Sequence, residues 1–535
     1  MTRKEVIIEH DGFEEEKQEE LTRYERVVGW VMYHFRWVFV CPFLLPLSFI
    51  FEHVYAVRNW IVHTVNSAPG AHLRKVQVIC DEVKEWNENG KKSKMVNARP
   101  GWQSMSFRFP TYKDNATKIS TDKLFDILDL DEEKMTVKVQ PGVTMGQLSN
   151  YLIPRGYTLP VLPELDDLTI GGLINGCGVE SGSFKYGMFQ HICVSYEIVD
   201  ADGNFRSLIP DSAAKTKEAK QDTSWFYAIP WSHGTICFLV SATIKIIPCK
   251  PYVKLTYIKT AKLEEICEKL TECSDRFSET VDFVEALLFD KNKGCVMLGE
   301  FSDGPDTDDE IINSIGRFYK KWFYTHVEDL IDQRDESVEY IPLRHYYHRH
   351  SQSIFWELRD IVPFGNNCVF RYLFGWLCPP KISFLKATTP DVLRKLYDRT
   401  HVIQDMLVPI ETLEKTVNLF HETVEIYPLW LCPFYMKAQP GLMKLRNAAH
   451  KTYIDVGAYG VTAKENYHPS KTTRQLEEFV RSVNGFQMTY ADIYMTKAEY
   501  GQMFDRTLYD YIRQTWELKN VFPDVYDKIS RKNRR

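Results

Sequence analysis

The chain has 535 residues, of which 44% are hydrophobic, 26% charged and 13% aromatic. That balance excludes disordered, collagen-like and low-complexity classes, and the length predicts two or three domains around a large core. The formal charge of −6 excludes nucleic acid as a bulk electrostatic partner.

The first 26 residues carry nine acidic and five basic side chains, whereas a secretory leader opens on a basic region. Residues 1–30 therefore read as an acidic, solvated lead. From Trp37 to Phe51 there is no charge, between Arg36 and Glu52. Fifteen helical residues rise about 22 Å, against about 30 Å of bilayer hydrocarbon. Extension to Val57 adds length but includes Glu52 and His53. Trp30, Tyr33, Phe35 and Trp37 crowd one end and Tyr55 and Trp60 the other, as in an interfacial aromatic belt. The expectation is a membrane anchor within residues 31–60, centred on 37–57. Spanning, half-insertion and burial as a core helix all stay open, and Pro42 and Pro46 predict a kink.

Between residues 64 and 249 the elements mix. Helical spacing runs from Leu73 to Trp86, and Met135, Val137 and Val139 alternate as a strand. Thr144-x-x-Gln147 is a capping box opening a helix through Leu152. Ile192 to Ile198 alternates again, Asp202-Gly203 marks a hairpin, and Ala242, Ile244 and Ile246 form another strand. Without a regular βαβ rhythm this is α+β. The polar stretch Ala213–Asp222 reads as a surface loop.

The densest chemical signal is Thr169-Ile170-Gly171-Gly172-Leu173-Ile174-Asn175-Gly176-Cys177-Gly178-Val179-Glu180-Ser181-Gly182, with five glycines in fourteen residues. Such a run lets backbone approach a ligand and aims N–H groups at phosphate oxygens. It is not a Rossmann fingerprint, because Ser181 stands where the third glycine belongs. Arg99-Pro100-Gly101-Trp102-Gln103-Ser104 is a second glycine loop about 70 residues earlier. Two such loops suit the two sides of one diphosphate.

The twelve cysteines include no C-x-x-C, no His pair stands at zinc spacing near a Cys pair, and no metal is expected. Reduced thiols facing the cytosol fit a long chain of this kind. Arg531-Lys532-Asn533-Arg534-Arg535 reads as a solvated tail. His345-Tyr346-Tyr347-His348-Arg349-His350 is the most titratable cluster, and His348, Tyr346 and Tyr347 are the candidate general acids.

These motifs, in this order, resemble the FAD-binding domain of the vanillyl-alcohol-oxidase family. The first loop matches its R-x-G-x-x-S, Gln140-Pro141-Gly142-Val143-Thr144 its pre-helix strand, and Thr169-Ile170-Gly171-Gly172 its T-V-G-G. Ser183 to Gly187, Val199 to Gly203 and Ser232 to Thr235 follow as in that family. The resemblance implies an α+β fold with a two-subdomain FAD-binding domain at 64–249 and an α+β substrate cap at 250–470. Residues 471–535 would close the FAD domain. FAD contacts are then carried to Arg99, Gly101, Gln103 and Ser104 and to Thr169 through Ser181. Gln103 stands where many members have a flavin-linking His, which implies non-covalent FAD. Thr489-Tyr490-Ala491-Asp492 replaces the family's H-W-[AG]-K, which argues against alcohol oxidation.

Leu159 to Thr169, Phe355 to Leu358, Phe364 to Asn367 and Tyr453 to Gly460 are similar to a sterol-reducing branch of that family. That similarity implies NADPH-dependent reduction of a sterol side-chain C24=C25 bond in the endoplasmic-reticulum membrane, or the Golgi membrane, with the catalytic domains facing the cytosol. Partners are then a sterol and the membrane, with homo-oligomerisation left open. Rival readings are a flavin oxidase or dehydrogenase on another substrate, and a non-catalytic sterol-binding membrane protein.

Overall fold

A computed structural model describes residues 22–103, 106, 108–210, 224–307, 310–380, 382–446 and 451–534. Most of the acidic lead, Ser104 and the 213–222 stretch lie outside the described residues.

Thr22 and Glu25 form a capping box that starts helix Arg23–Phe39. A π-helical turn, Val40–Leu44, joins it to helix Leu45–Asn66, and the Leu45 N–H reaches back to the Val40 carbonyl. The widened turn absorbs Pro42, which has no N–H to donate, so the expected kink is a π turn inside continuous helix. Within this rod, His34–Arg58 is 25 residues long, holds an 18-residue window with a mean hydropathy of 1.7, and is long and apolar enough to cross a membrane. The rod also lies against the body. Trp37 meets Phe364 edge-on at 5.4 Å, Phe49 meets Trp376 at 4.8 Å, and Arg36 donates to the Tyr397 hydroxyl.

Helix His72–Glu88 turns Val76, Ile79, Val83 and Trp86 inward. A parallel pair, β1 (Met95–Asn97) and β2 (Thr117–Ile119), follows. Five antiparallel strands, β3 (Ile127–Asp131), β4 (Thr136–Val139), β6 (Cys193–Val199), β7 (Phe205–Leu208) and β8 (Phe238–Lys245), are ordered β3-β4-β8-β6-β7. The Asp200 carboxylate accepts the Asp202 and Asn204 N–H groups and so shapes the expected hairpin. A two-residue pair, β5 (Tyr157–Thr158) with β9 (Ile247–Pro248), joins this region to the next.

The second half is an eight-stranded antiparallel sheet. Its strands are β10 (Tyr252–Thr260), β11 (Phe283–Asp290), β12 (Lys293–Ser302), β13 (Glu336–Pro342), β14 (His401–Pro409), β15 (Leu429–Tyr435), β16 (Thr452–Val461) and β17 (Phe486–Gln487). The order is β13-β10-β12-β11-β15-β16-β14-β17. β11, β14, β15 and β16 are almost wholly buried.

After β17 the chain returns to the first half. Met95 N–H donates to the Val521 carbonyl at 2.7 Å, and Thr111 Oγ1 to the Asn533 carbonyl at 2.8 Å. The basic tail, expected to be solvated, is so only in part among the described residues: Lys532 is exposed, whereas Arg531 is half-buried. Arg534 is buried and donates to the Thr489, Tyr490 and Ala491 carbonyls. Three converging acceptors hold a guanidinium better than water holds a free end.

Candidate functional site

One cavity of about 1820 Å³ lies between the two halves, and the N-terminal rod forms part of its wall through Phe39, Val40, Leu44 and Phe51. A pocket for one drug-sized ligand runs about 300–1,000 Å³. This one has room for more.

Its first wall is the glycine run. Thr169 caps helix Ile170–Asn175, and the segment is pinned to its neighbour by Ile170 N–H to Val143 O and Gly171 N–H to Pro141 O, both 2.9 Å. A Cβ at Gly171 would meet the Pro141 Cβ at 2.8 Å, so that glycine serves backbone packing. Gly172 differs. A Cβ there would find only Thr169 Oγ1 within 4 Å, and at Gly234, held at φ +66°, only Asn175 Oδ1 at 3.9 Å. Both line the cavity. Backbone thus approaches this space with no side chain in the way.

Of the residues singled out by sequence, Thr169, Gly171, Gly172, Leu173, Asn175, Gly176, Cys177, Gly178, Val179, Arg99, Gly101 and Gln103 line the cavity. Ile170 and Ile174 do not, being core side chains with no exposure. Glu180 and Ser181 also face elsewhere. Arg349 donates to Glu180 at 2.8 Å and to both oxygens of Glu285 on β11 at 2.7 and 2.6 Å. This buried strut ties the glycine segment to the large sheet, and Tyr346 donates to Ser181 Oγ at 3.1 Å beside it.

Cations converge on the glycine wall from four other segments. Arg99 donates to Thr169 Oγ1 at 2.8 Å, joining the two glycine loops. Lys113 donates to the Asn97 and Arg99 carbonyls, Lys386 to those of Gly101 and Ser106, and Lys528 to that of His233. Burial, with Arg99 close by, pulls Lys113 down to about 8. Burial, with Arg534 close by, pulls Lys386 to about 7. Burial, then Lys113 and Arg534, pulls Lys528 to about 7. Half-buried or buried cations crowded beside the two glycine loops suit a dianion such as a dinucleotide diphosphate. The residues present fit FAD. Of these cations Arg99 was singled out from sequence, in its glycine loop; Lys113, Lys386 and Lys528 were not, because they come from segments too far apart to form a pattern.

The opposite wall belongs to the sheet. Asp405 on β14 pairs in register with Gly457 on β16, so Asp455 and Tyr459, two residues either side, share its face. Tyr459 and Tyr490 donate to the two oxygens of Asp405. Gly457 makes this possible, since a Cβ there would lie 2.5 Å from the Tyr459 hydroxyl and 2.7 Å from Asp405 Oδ1. Asp405, Asp455, Tyr459, Tyr490, Trp430 and Phe355 line the cavity. Burial holds Asp405 up at about 6 against its two phenol donors. Burial, then Asp405 and Glu164, pushes Asp455 well above the usual carboxylate range. The available sequence signal was an aspartate inside each of two largely apolar strands, β14, which also carries Gln404, and β16.

The expected acids lie elsewhere. Tyr346 and Tyr347 are buried outside the cavity lining, Tyr346 on Ser181 and Tyr347 accepting from Thr158 Oγ1 at 3.0 Å. The surrounding core claims both hydroxyls. His348 reaches the lining, but its Nδ1 lies 2.7 Å from the Glu164 carbonyl and its Nε2 3.0 Å from Ser149 Oγ. Burial lowers it, with Asp166 acting against. His350 turns away and stacks on Phe355 at 4.6 Å.

A glycine cradle under crowded cations, facing a shielded pocket, defines a flavin-linked oxidoreductase, and an FAD binding domain model matches residues 72–208. The chain is 74% identical over 521 residues to a Delta(24)-sterol reductase homolog of Caenorhabditis elegans, covering 97% of this chain and 99% of that protein. It is 50% identical to the Delta(24)-sterol reductase of Homo sapiens (93% and 94% covered) and 34% identical to that of Arabidopsis thaliana (97% and 96%). The chain belongs to the delta(24)-sterol reductase family.

Proposed function

We propose that the chain reduces the side-chain C24=C25 bond of a sterol such as desmosterol, with FAD as bound cofactor and NADPH as electron donor. The observation that carries this reading is the single cavity with a cationic glycine wall facing an apolar, acid-bearing one. Arg99, Lys113, Lys386 and Lys528, with the open backbone at Gly172, would hold the diphosphate. Bound FAD supplies hydride transfer. The protein excludes water, fixes the alkene and delivers a proton, since an isolated alkene accepts hydride only as the other carbon is protonated. The large sheet would serve as the substrate cap expected at 250–470, with β17 joining it from the segment 471–535 that would close the cofactor side. Gln103 implies non-covalent FAD, so acid precipitation should release the yellow colour into the supernatant. Colour kept in the pellet would show a covalent link. The function is tested by adding NADPH and then desmosterol to the purified flavoprotein. Bleaching followed by sterol-dependent recovery of colour supports it. Oxygen uptake without NADPH favours the oxidase reading, and a colourless protein favours a non-catalytic one.

The N-terminal rod is proposed as the anchor to the endoplasmic-reticulum membrane, with the bulk of the chain cytosolic. Its exposed Phe43, Leu47, Ile50, Val54 and Val57 lie near a second exposed apolar group, Val369, Tyr372, Leu373, Phe374 and Trp376. Because the rod also walls the cavity, a sterol would reach the site from the bilayer without crossing water. Removing residues 1–66 should weaken carbonate-resistant membrane association and slow turnover on vesicle-borne desmosterol more than on detergent-dispersed desmosterol. Equal losses in both would contradict lateral access.

A further inference from the structure

The functional reading leaves the proton donor unassigned, and the two aspartates of the sheet wall divide that task. They lie on one face of adjacent strands, both essentially inaccessible. Two carboxyls buried on one face of adjacent strands do not readily both ionise. Their partners decide which does. Asp405 accepts a hydrogen bond from a phenol on each oxygen, an arrangement that suits the carboxylate. Neither oxygen of Asp455 has a hydrogen-bond partner among the described residues, although the residue is fully buried and lines the cavity. A buried carboxyl with nothing to solvate its charge keeps its proton. The other titratable groups facing Asp455 are Glu164, Cys177, Cys432, Tyr459 and Tyr490, none of them a cation. The buried Arg349 is committed to Glu180 and Glu285.

Resting on the proposed sterol reduction, we infer that Asp455 is the catalytic acid that protonates the alkene, and that Asp405, held ionised by Tyr459 and Tyr490, is a positioning residue that keeps Asp455 protonated. In the step, hydride from the reduced cofactor forms a C–H bond at one alkene carbon. The π pair forms the second C–H bond with the Asp455 proton. Asp455 is left as a carboxylate and regains a proton from solvent, while NADPH restores the reduced cofactor.

The test separates the two half-reactions in the full-length holoprotein under anaerobic conditions. Reoxidation of the NADPH-reduced wild type by desmosterol is measured first and bears on the functional reading alone. Asp455→Asn should then keep its flavin and its rate of reduction by NADPH within about twofold. It should lose at least about 100-fold in reoxidation by desmosterol, the span of a general acid. Asp455→Glu should recover part of the loss. Reoxidation of Asp455→Asn within about threefold of wild type overturns the assignment. If Asp455→Asn does not retain flavin, Asp405→Asn decides. Removing the neighbouring charge should move the alkaline limb of the reoxidation pH profile to lower pH. A limb that stays in place overturns it.

Discussion

The two walls of the cavity carry buried charge of opposite sign. On the glycine wall, burial and mutual repulsion push Lys113, Lys386 and Lys528 toward neutrality. On the sheet wall, burial and the neighbouring acids push Asp455 to hold its proton. The first wall is relieved by an anion and the second by a neutral, apolar guest. On the proposed reading a dinucleotide would satisfy the first and a sterol the second, and neither would suit the opposite side. The partition follows from chain topology, since the sheet wall comes from β14 and β16 and the glycine wall from segments before and after them.

The sharpest break in this arrangement is loss of the strut between the walls. Arg349→Ala leaves Glu180 and Glu285 buried without their cation and should destabilise the fold by about 3–5 kcal/mol, read as a lowered urea midpoint. An unchanged midpoint would mean that the carboxylates find water or each other.

Gly172→Val acts on one wall only. A branched side chain would occupy the space that backbone now borders, so flavin content should fall at least about tenfold, or 1.4 kcal/mol, while circular dichroism still reports a folded chain. Full flavin content would remove Gly172 from the cofactor site.

The pH dependence of the flavin-free protein sharpens the comparison more gently. The three lysines have pKa values of about 7 to 8 when folded, against about 10.4 in an unfolded chain. The unfolded state therefore binds more protons between pH 7 and about 10, and their contribution to stability rises with pH across that window. An anion favours the charged lysines, so its affinity should fall over the same window. The rise in melting temperature caused by added FAD should be larger at pH 7 than at pH 9.5. Equal rises would place the diphosphate away from these lysines.

The glycine cradle was readable because its chemistry is local. Thr169 through Gly178 carry cap, cradle and close approach within ten residues, and the Thr144–Gln147 capping box occurs where its spelling puts it. Nothing local joins Lys113, Lys386, Lys528 and Arg534, which meet only after the C-terminal segment folds back over β1. Tyr346 and Tyr347 misled for the converse reason. They sit in a titratable cluster in sequence, but whether a buried aromatic faces core or cavity depends on what packs over it, here Ser181 and Thr158. Asp405 and Asp455 were visible as acids in apolar strands, while their joint role needed the register that sets Gly457 between Tyr459 and Asp405.

The central claim is that one cavity holds the flavin on its cationic side and the sterol on its acidic side. Anaerobic absorbance of the purified protein tests this most directly. NADPH should bleach the flavin bands, and desmosterol added afterwards should restore them with formation of one saturated side chain per flavin. Bleaching that desmosterol cannot reverse, while another electron acceptor can, would contradict the account.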